Sequence, residues 1–362
     1  MTNPFVILEQ PIAACNGKKY SWSRKIAAAA RFPVLRITGY PTLVNLEVTH
    51  RCNARCDFCR YWTTRSEEIL EDYAPVVRKL KPAALVFTGG EALMRPDIEK
   101  VVAGVRTASP SVYLCLVTNG WLLTERRATA LWDAGLDQFT ISLDFLDERH
   151  DHARGIPGLV QRIVATVPRL VASGIDNIVL QLFIRRDNLD AVMDVVSWAR
   201  EIGVKVSISA FTPMKTGDDK YSVTPDQMLT LRALVDRLVA LKKDGWPITS
   251  STYYLKKIPE YFSEGEIGHC PAGRRFIGVT PSGEIQRCSE MPIACHYTEW
   301  KLRLFSRTEC GKCWVACRGE SQAPLNWERV KQAVAAYHGR LERNSGPAHI
   351  SPASDSRAEI LP

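Results

Sequence analysis

From residue 43 to 245 the sequence alternates short β-rich apolar runs with amphipathic stretches, six times over, and no other feature narrows the fold as far. The apolar runs are Val44–Thr49, Ala84–Gly89, Val112–Thr118, Gln138–Asp144, Ile178–Ile184 and Val204–Phe211. Most are apolar on both faces, as parallel strands covered on both sides must be. Helical periodicity fills the gaps over 66–80, 96–108, 124–134, 158–173, 188–202 and 225–243. Pro96 suits a first helical turn. Thr224-Pro-Asp-Gln227 reads as a capping box, and Gly135, Gly174, Gly203 and Gly245 stand where helices should stop. Six such units with right-handed crossovers predict an α/β chain whose parallel sheet curls into a partial barrel. A flat doubly wound sheet is the alternative, and both place function at the C-terminal strand ends.

The unusual residues fall at those ends. Cys52 follows the first strand, Gly89-Gly90-Glu91 the second and Asn119-Gly120 the third, and Ser142 lies within the end of the fourth. The eleven cysteines are clustered: Cys52, Cys56 and Cys59 form one group, and Cys270, Cys288, Cys295, Cys310, Cys313 and Cys317 another. Cys15 and Cys115 stand apart. Met1–Gln10 contains Pro4 and Glu9 and lacks a basic start followed by a long apolar core, so a secretory signal is not expected. Clustered cysteines in such a chain point to metal ligation rather than disulfides. A CxxxCxxC loop directly after a strand can close three thiolates round one face of a cubane cluster, and thiolates suit iron–sulfur sites. Three ligands leave one of four irons open to a substrate or cofactor. Zinc is the alternative, but its structural sites want four closed ligands. His50 is a candidate fourth, although its place at a strand end suits packing.

This segment, the Gly89-Gly90-Glu91 that follows and the Ser142-Leu-Asp144 of the fourth strand together resemble the radical S-adenosylmethionine (SAM) superfamily. The resemblance covers about residues 42–245, whose core looks like that of the molybdenum-cofactor GTP cyclase and the anaerobic sulfatase-maturing enzymes. It implies a partial (β/α)6 TIM-like barrel, a 4Fe–4S cluster on Cys52, Cys56 and Cys59, and SAM chelated at the open iron. Reductive cleavage of SAM then yields a 5′-deoxyadenosyl radical that abstracts a substrate hydrogen. Matching positions imply roles: Phe58 packs on adenine, Gly89-Gly90-Glu91 receives the SAM amino group, Ser142 contacts SAM, and Arg154 pairs with the SAM carboxylate. Ala92 stands where the family often has Pro. Thr118 and Asn119 are expected to line the cavity, and Ser209–Phe211 to touch adenine or ribose. His150 and His152 are expected to be solvated or supporting, and no catalytic side chain is assigned.

The second group resembles a SPASM or shorter Twitch domain, which holds auxiliary 4Fe–4S clusters. Cys270 and Cys288 flank a hairpin turning at Pro281-Ser282-Gly283, and Cys310-Gly-Lys-Cys313 is followed by Cys317. One auxiliary cluster on Cys270, Cys288, Cys310 and Cys313 is expected, with Cys317 able to replace Cys310 or Cys313 and Cys295 left spare or in a partial second cluster. A hairpin pair facing a CxxC pair is also how zinc ribbons are built. The implied organisation is a basic arm at 1–41, a core at 42–250, an auxiliary-cluster domain at 251–322, a helix at 323–343 and a disordered tail at 344–362.

With 46% hydrophobic and 24% charged residues in 362, a disordered or collagen-like chain is excluded. No apolar run reaches the roughly 18 residues of a membrane span. The net charge of +8 is uneven, since residues 1–40 carry Lys18, Lys19, Arg24, Lys25, Arg31 and Arg36 against Glu9 alone. That arm reads first as solvated, and peripheral membrane contact through Trp22, Ile26, Ala27–Ala30 and Phe32 is the lesser alternative. The expected partners are an unidentified substrate (peptide, small metabolite or lipid) and a low-potential electron donor such as flavodoxin or ferredoxin, in the cytoplasm. A fused leader-peptide recognition domain is not expected in the 40 or so residues before the barrel, nor is nucleic acid. The rival class is a non-catalytic zinc or nucleic-acid-binding module, in which the GGE and SLD segments have no task.

Overall fold

The computed structural model describes residues 31–336 except 32, 33, 36, 65, 66, 303, 306 and 307. Most of the expected basic arm, the end of the last helix and the tail lie outside the described residues.

Six parallel strands form the core of the sheet: β1 (Leu43–Thr49), β2 (Ala84–Gly89), β3 (Tyr113–Thr118), β4 (Gln138–Ser142), β5 (Ile178–Ile184) and β6 (Lys205–Ala210). Each pairs with its successor, in the order β6-β5-β4-β3-β2-β1. Every crossover therefore steps one position the same way, which is the singly wound curl of a partial barrel. A doubly wound sheet would reverse order at a switch point.

Among the described residues, seven helices accompany these strands: α1 (Ala74–Leu80), α2 (Ile98–Ala108), α3 (Glu125–Asp133), α4 (Glu148–Arg154), α5 (Leu159–Ala172), α6 (Val192–Ile202) and α7 (Met228–Lys243). The core lies between layers. Leu46, Phe87, Leu116, Phe139 and Leu180 of the strands share one buried cluster with Val102, Leu131, Ile163, Val167 and Val196 of the helices. Each such side chain contributes about 1.5–3 kcal/mol on burial. Gln227 reaches back to accept from the Thr224 N–H at 3.3 Å, as its spacing predicts.

Two helix expectations fail locally. The first helix begins at Ala74 rather than 66, because the preceding residues spend their polar groups on tertiary bonds. Leu70 donates its N–H to the Pro281 carbonyl and accepts from Arg95. The carboxylate of Glu67 takes the Thr49 hydroxyl and the His50 N–H. Pro96 likewise stays outside α2, which starts at Ile98. Conversely, α4 has no apolar period to announce it; Asp147 caps it by accepting from the Arg149 N–H at 2.9 Å.

The chain continues through α8 (Thr252–Lys256), α9 (Ile258–Glu264), β7 (Phe276–Val279), β8 (Glu284–Gln286), β9 (Ile293–His296), α10 (Ala316–Gln322) and α11 (Trp327–Ala335). The expected hairpin is β7–β8, closed by Thr280 N–H on the Glu284 carbonyl at 2.8 Å, with Gly283 at φ 93°. It is not separate from the barrel sheet. β7 lies parallel to β1, Leu43 opposite Phe276 and Leu46 opposite Val279, so the sheet runs on as β1-β7-β8-β9. No described helix is long and apolar enough to cross a membrane.

Candidate active site

β1 delivers the loop of Cys52, Cys56 and Cys59 to the C-terminal mouth of the barrel. The two glycines after β2 make room for it. A Cβ on Gly89 would stand 2.0 Å from the Thr49 carbonyl oxygen, and one on Gly90 would stand 2.3 and 2.4 Å from those of Arg51 and His50. The bare backbone lets Gly90 N–H reach the Thr49 carbonyl at 2.8 Å and Glu91 N–H reach that of Arg51 at 2.9 Å. The His50 ring is held by Glu47. Its Nε2 meets the buried Glu47 carboxylate at 2.7 Å, and the Tyr61 hydroxyl donates to the same carboxylate at 2.6 Å.

Burial pushes the Cys52 thiol up to about 12 and raises Cys56 as well, despite the nearby Arg154 guanidinium. Both are therefore protonated as free thiols, and ligation would release those protons. The three sulfur groups lie within electrostatic range of one another.

Glu91 is fully buried. Its carboxylate accepts from the Thr118 hydroxyl at 2.7 Å, the Asn119 N–H at 2.7 Å and the Leu93 N–H at 3.0 Å. Its side chain staples β2 to β3. The Asn119 amide donates to Asn53 at 2.9 Å, tying β3 to the cysteine loop. Ser142 closes β4 and is buried.

Arg154 is not a surface ion pair. It is buried, donates to Asp144 at 2.6 Å and lies 5.3 Å from the centre of the Phe58 ring. Asp144 also accepts from the Phe183 N–H at 2.9 Å. Burial alone would raise the Asp144 carboxyl, but Arg154, His150 and Arg185 outweigh it and hold it below the usual range. His152 is exposed as expected, whereas His150 is not solvated: it is fully buried, with Nδ1 accepting from the Asp144 N–H at 3.2 Å. Burial takes its pKa down to about 4. Arg185, the residue after β5, belongs to this group and was missed by sequence reasoning. It is buried, with its guanidinium 5.4 Å from the Phe58 ring centre and 4.1 Å from that of Tyr221. The signal available was its position at a C-terminal strand end.

The segment after β6 straps the cysteine loop. Asp57 accepts from Lys220 at 2.6 Å and Tyr221 at 2.7 Å, and Arg60 donates to the Thr216 carbonyl at 2.6 Å. Phe211 meets Tyr221 edge-on at 5.7 Å, while the Ser209 hydroxyl is taken by the Ala316 N–H at 3.1 Å.

In the second group, Cys270, Cys288, Cys310, Cys313 and Cys317 come together. Cys270 N–H donates to the Cys310 carbonyl at 3.0 Å, and the electrostatic neighbours of Cys317 are Cys313, Cys288 and Cys270. Buried Arg318 fastens the loops by donating to the carbonyls of Gly311 at 2.8 Å, Gly268 at 3.0 Å and Cys313. Cys295 lies elsewhere, on strand β9. Cys115 sits inside β3 against the Thr140 hydroxyl at 3.2 Å, a core residue.

Both donor sets fit an iron–sulfur group: they are soft, desolvated thiols held by tertiary bonds of their loops. The barrel mouth also buries Arg154 Nε, Arg185 Nη1 and His150 Nε2 without acceptors. Among the described residues no three His, Cys, Asp or Glu side chains converge as a single ion requires. A cavity of about 650 Å³ between α2 and α3, lined by Met94, Glu99, Arg126 and Arg127, lies on the helix layer and contains none of these groups.

Comparison with known proteins agrees. The family described as the Radical SAM superfamily matches residues 46–221. An AdoMet-dependent heme synthase of Methanosarcina barkeri is 25% identical over 287 residues, 72% of this chain and 80% of that protein. A PqqA peptide cyclase of Gluconobacter oxydans is 29% identical over 342 residues, 87% of this chain and 92% of that protein. The crystal structure of Streptococcus suis SuiB bound to S-adenosylmethionine superposes with a TM-score of 0.60 at 16% identity, covering 75% of this chain and 67% of that one. That of anSMEcpe with bound AdoMet gives 0.57 at 18%, covering 73% and 79%. At such identities the structures speak for the fold alone.

Proposed function

We propose that this chain, which belongs to the radical SAM superfamily, is an enzyme whose Cys52, Cys56 and Cys59 hold a SAM-binding 4Fe–4S cluster and whose second cysteine group holds an auxiliary one. When bound, cluster and SAM together supply a 5′-deoxyadenosyl radical that removes hydrogen from the substrate. The observation that carries the reading is the cysteine loop itself, fixed at the barrel mouth by Gly89-Gly90 and Asn119 and facing the buried Arg154–Asp144 pair. Arg154 and Ser142 would take the SAM carboxylate, the Gly90–Glu91 main chain its amino group, and Phe58 the adenine. The strap over the loop would exclude water. Cys270, Cys288, Cys310 and Cys313 would supply the four auxiliary ligands, with Cys317 able to replace Cys310 or Cys313.

Of peptide, small metabolite and lipid, a peptide is the substrate we favour. PqqA peptide cyclase matches this chain over 87% of its length. We place the enzyme in the cytoplasm, reduced by a flavodoxin or ferredoxin.

The test is anaerobic reconstitution. Roughly eight irons are expected from two cubanes, with reduced protein releasing 5′-deoxyadenosine from SAM. Changing Cys52, Cys56 and Cys59 together to Ala should leave about half the iron and no deoxyadenosine. Stoichiometric zinc with little iron would overturn the reading.

A further inference from the structure

Three buried donors without acceptors lie within electrostatic range of Asp144. Arg185 is 1% exposed, and its Nε and Nη2 are taken by Asp187 at 2.9 and 2.5 Å. Its Nη1 has no partner. Arg154 gives Nη2 to Asp144 and leaves Nε unpartnered. His150 accepts the Asp144 N–H at Nδ1, so as a neutral ring it carries its proton on Nε2, which is also unpartnered. Two of these groups flank one ring, with guanidinium carbons 5.3 and 5.4 Å from the Phe58 centroid, and two are bonded to one aspartate. Leaving a buried donor unmade is costly, so three within range of one carboxylate point to a place for an oxygen-rich acceptor.

The two arginines differ in position. Arg154 sits on the cluster side, against Cys56. Arg185 sits on the strap side, under Tyr221, whose hydroxyl is latched to Asp57. Its backbone is fixed: Asn188 accepts the Arg185 N–H at 2.8 Å and donates to the Phe183 carbonyl at 2.6 Å. The guanidinium is thus held in place by Asp187 before any ligand arrives, with Nη1 left to donate to a carboxylate.

We propose that Arg185 is a carboxylate-binding residue of the active site, working beside Arg154 and His150. The carboxylate belongs either to the methionyl end of SAM or to the substrate. The inference rests on the radical SAM reading above.

The experiment uses the reconstituted holoenzyme as wild type, Arg185→Gln and Arg185→Lys, each checked for iron content. Equilibrium dialysis measures SAM and its decarboxylated analogue. Calorimetric titration of N-acetylglutamate into the SAM-loaded protein probes a second carboxylate. If SAM supplies the group, Arg185→Gln weakens SAM about ten- to a hundred-fold and leaves the decarboxylated analogue unchanged. If the substrate supplies it, SAM affinity holds and N-acetylglutamate binding is lost in Arg185→Gln. In either case Arg185→Lys, which keeps the charge, recovers part of the loss. Equal weakening of SAM and its decarboxylated analogue, or no change in any arm, overturns the proposal. Wild-type protein that binds no SAM would instead refute the family reading.

Discussion

Replacing Gly90 by Ala tests how the cysteine loop is held. The added methyl carbon would sit 2.3 Å from the Arg51 carbonyl oxygen and 2.4 Å from that of His50, both backbone atoms. Such contacts do not fall below 3.0 Å, so the loop must retreat by at least 0.7 Å. The bonds from Gly90 N–H to Thr49 and from Glu91 N–H to Arg51 are 2.8 and 2.9 Å, and the same retreat carries them to the edge of hydrogen bonding. Losing both costs about 1–3 kcal/mol and shifts the backbone next to Cys52. The expected outcome is a lower urea midpoint for the apo-protein and, after anaerobic reconstitution, loss of about half the iron. Gly245→Ala is the control. Its φ is +80° with nothing within 4 Å, so it carries conformational strain without a clash and should load normally. If Gly90→Ala matches wild type in both midpoint and iron, the steric account of the glycine pair is wrong.

Cys313→Ala should spare SAM cleavage and block product formation, read as deoxyadenosine against product in one assay; normal product would make the second site merely structural or assign its ligand to Cys317. Arg154→Ala should weaken SAM binding by about 1.5–3 kcal/mol and also destabilise the fold by leaving Asp144 buried alone. Adding Asp144→Ala should recover stability and not SAM affinity, and recovery of both would remove Arg154 from the SAM site. His150 supplies a pH dependence. Its pKa is about 4 folded against an ordinary 6.5, so the unfolded chain takes up the proton first as pH falls and stability drops. About 2 kcal/mol should go between pH 7 and pH 5, measured by urea unfolding, and His150→Gln should flatten that slope.

The strands and the cysteine loop were legible because each announces itself locally, by an apolar run or by spacing. Helix α4 was not, since Glu148–Arg154 is polar apart from Ala153 and is held by the Asp147 cap and by Asp144, neither visible as a period. Glu91 was legible as a motif but not as a staple, because its partners Thr118 and Asn119 come from another strand. Arg185 shows the same limit. Its sequence context is an ordinary strand end, and only the packing of Phe58 and Tyr221 round it shows a cation buried on purpose.

The division into core and cap misled in one respect with a mechanical consequence. Four-residue β7 carries too little pattern to reveal that it pairs with β1, more than two hundred residues earlier. Yet the Thr42 and Leu43 N–H groups donate to the Arg275 carbonyl, and the β7–β8 turn is gripped at Pro281 by Leu70 N–H and by the Tyr73 hydroxyl at 2.7 Å. Arg95 in turn holds both Leu70 and Tyr73. The strand that carries Cys52 at its C-terminal end thus has Cys270 and Cys288 on the segments flanking its neighbour. Two cysteine groups joined through adjacent strands of one sheet keep a fixed separation, which a flexibly tethered cap would not provide.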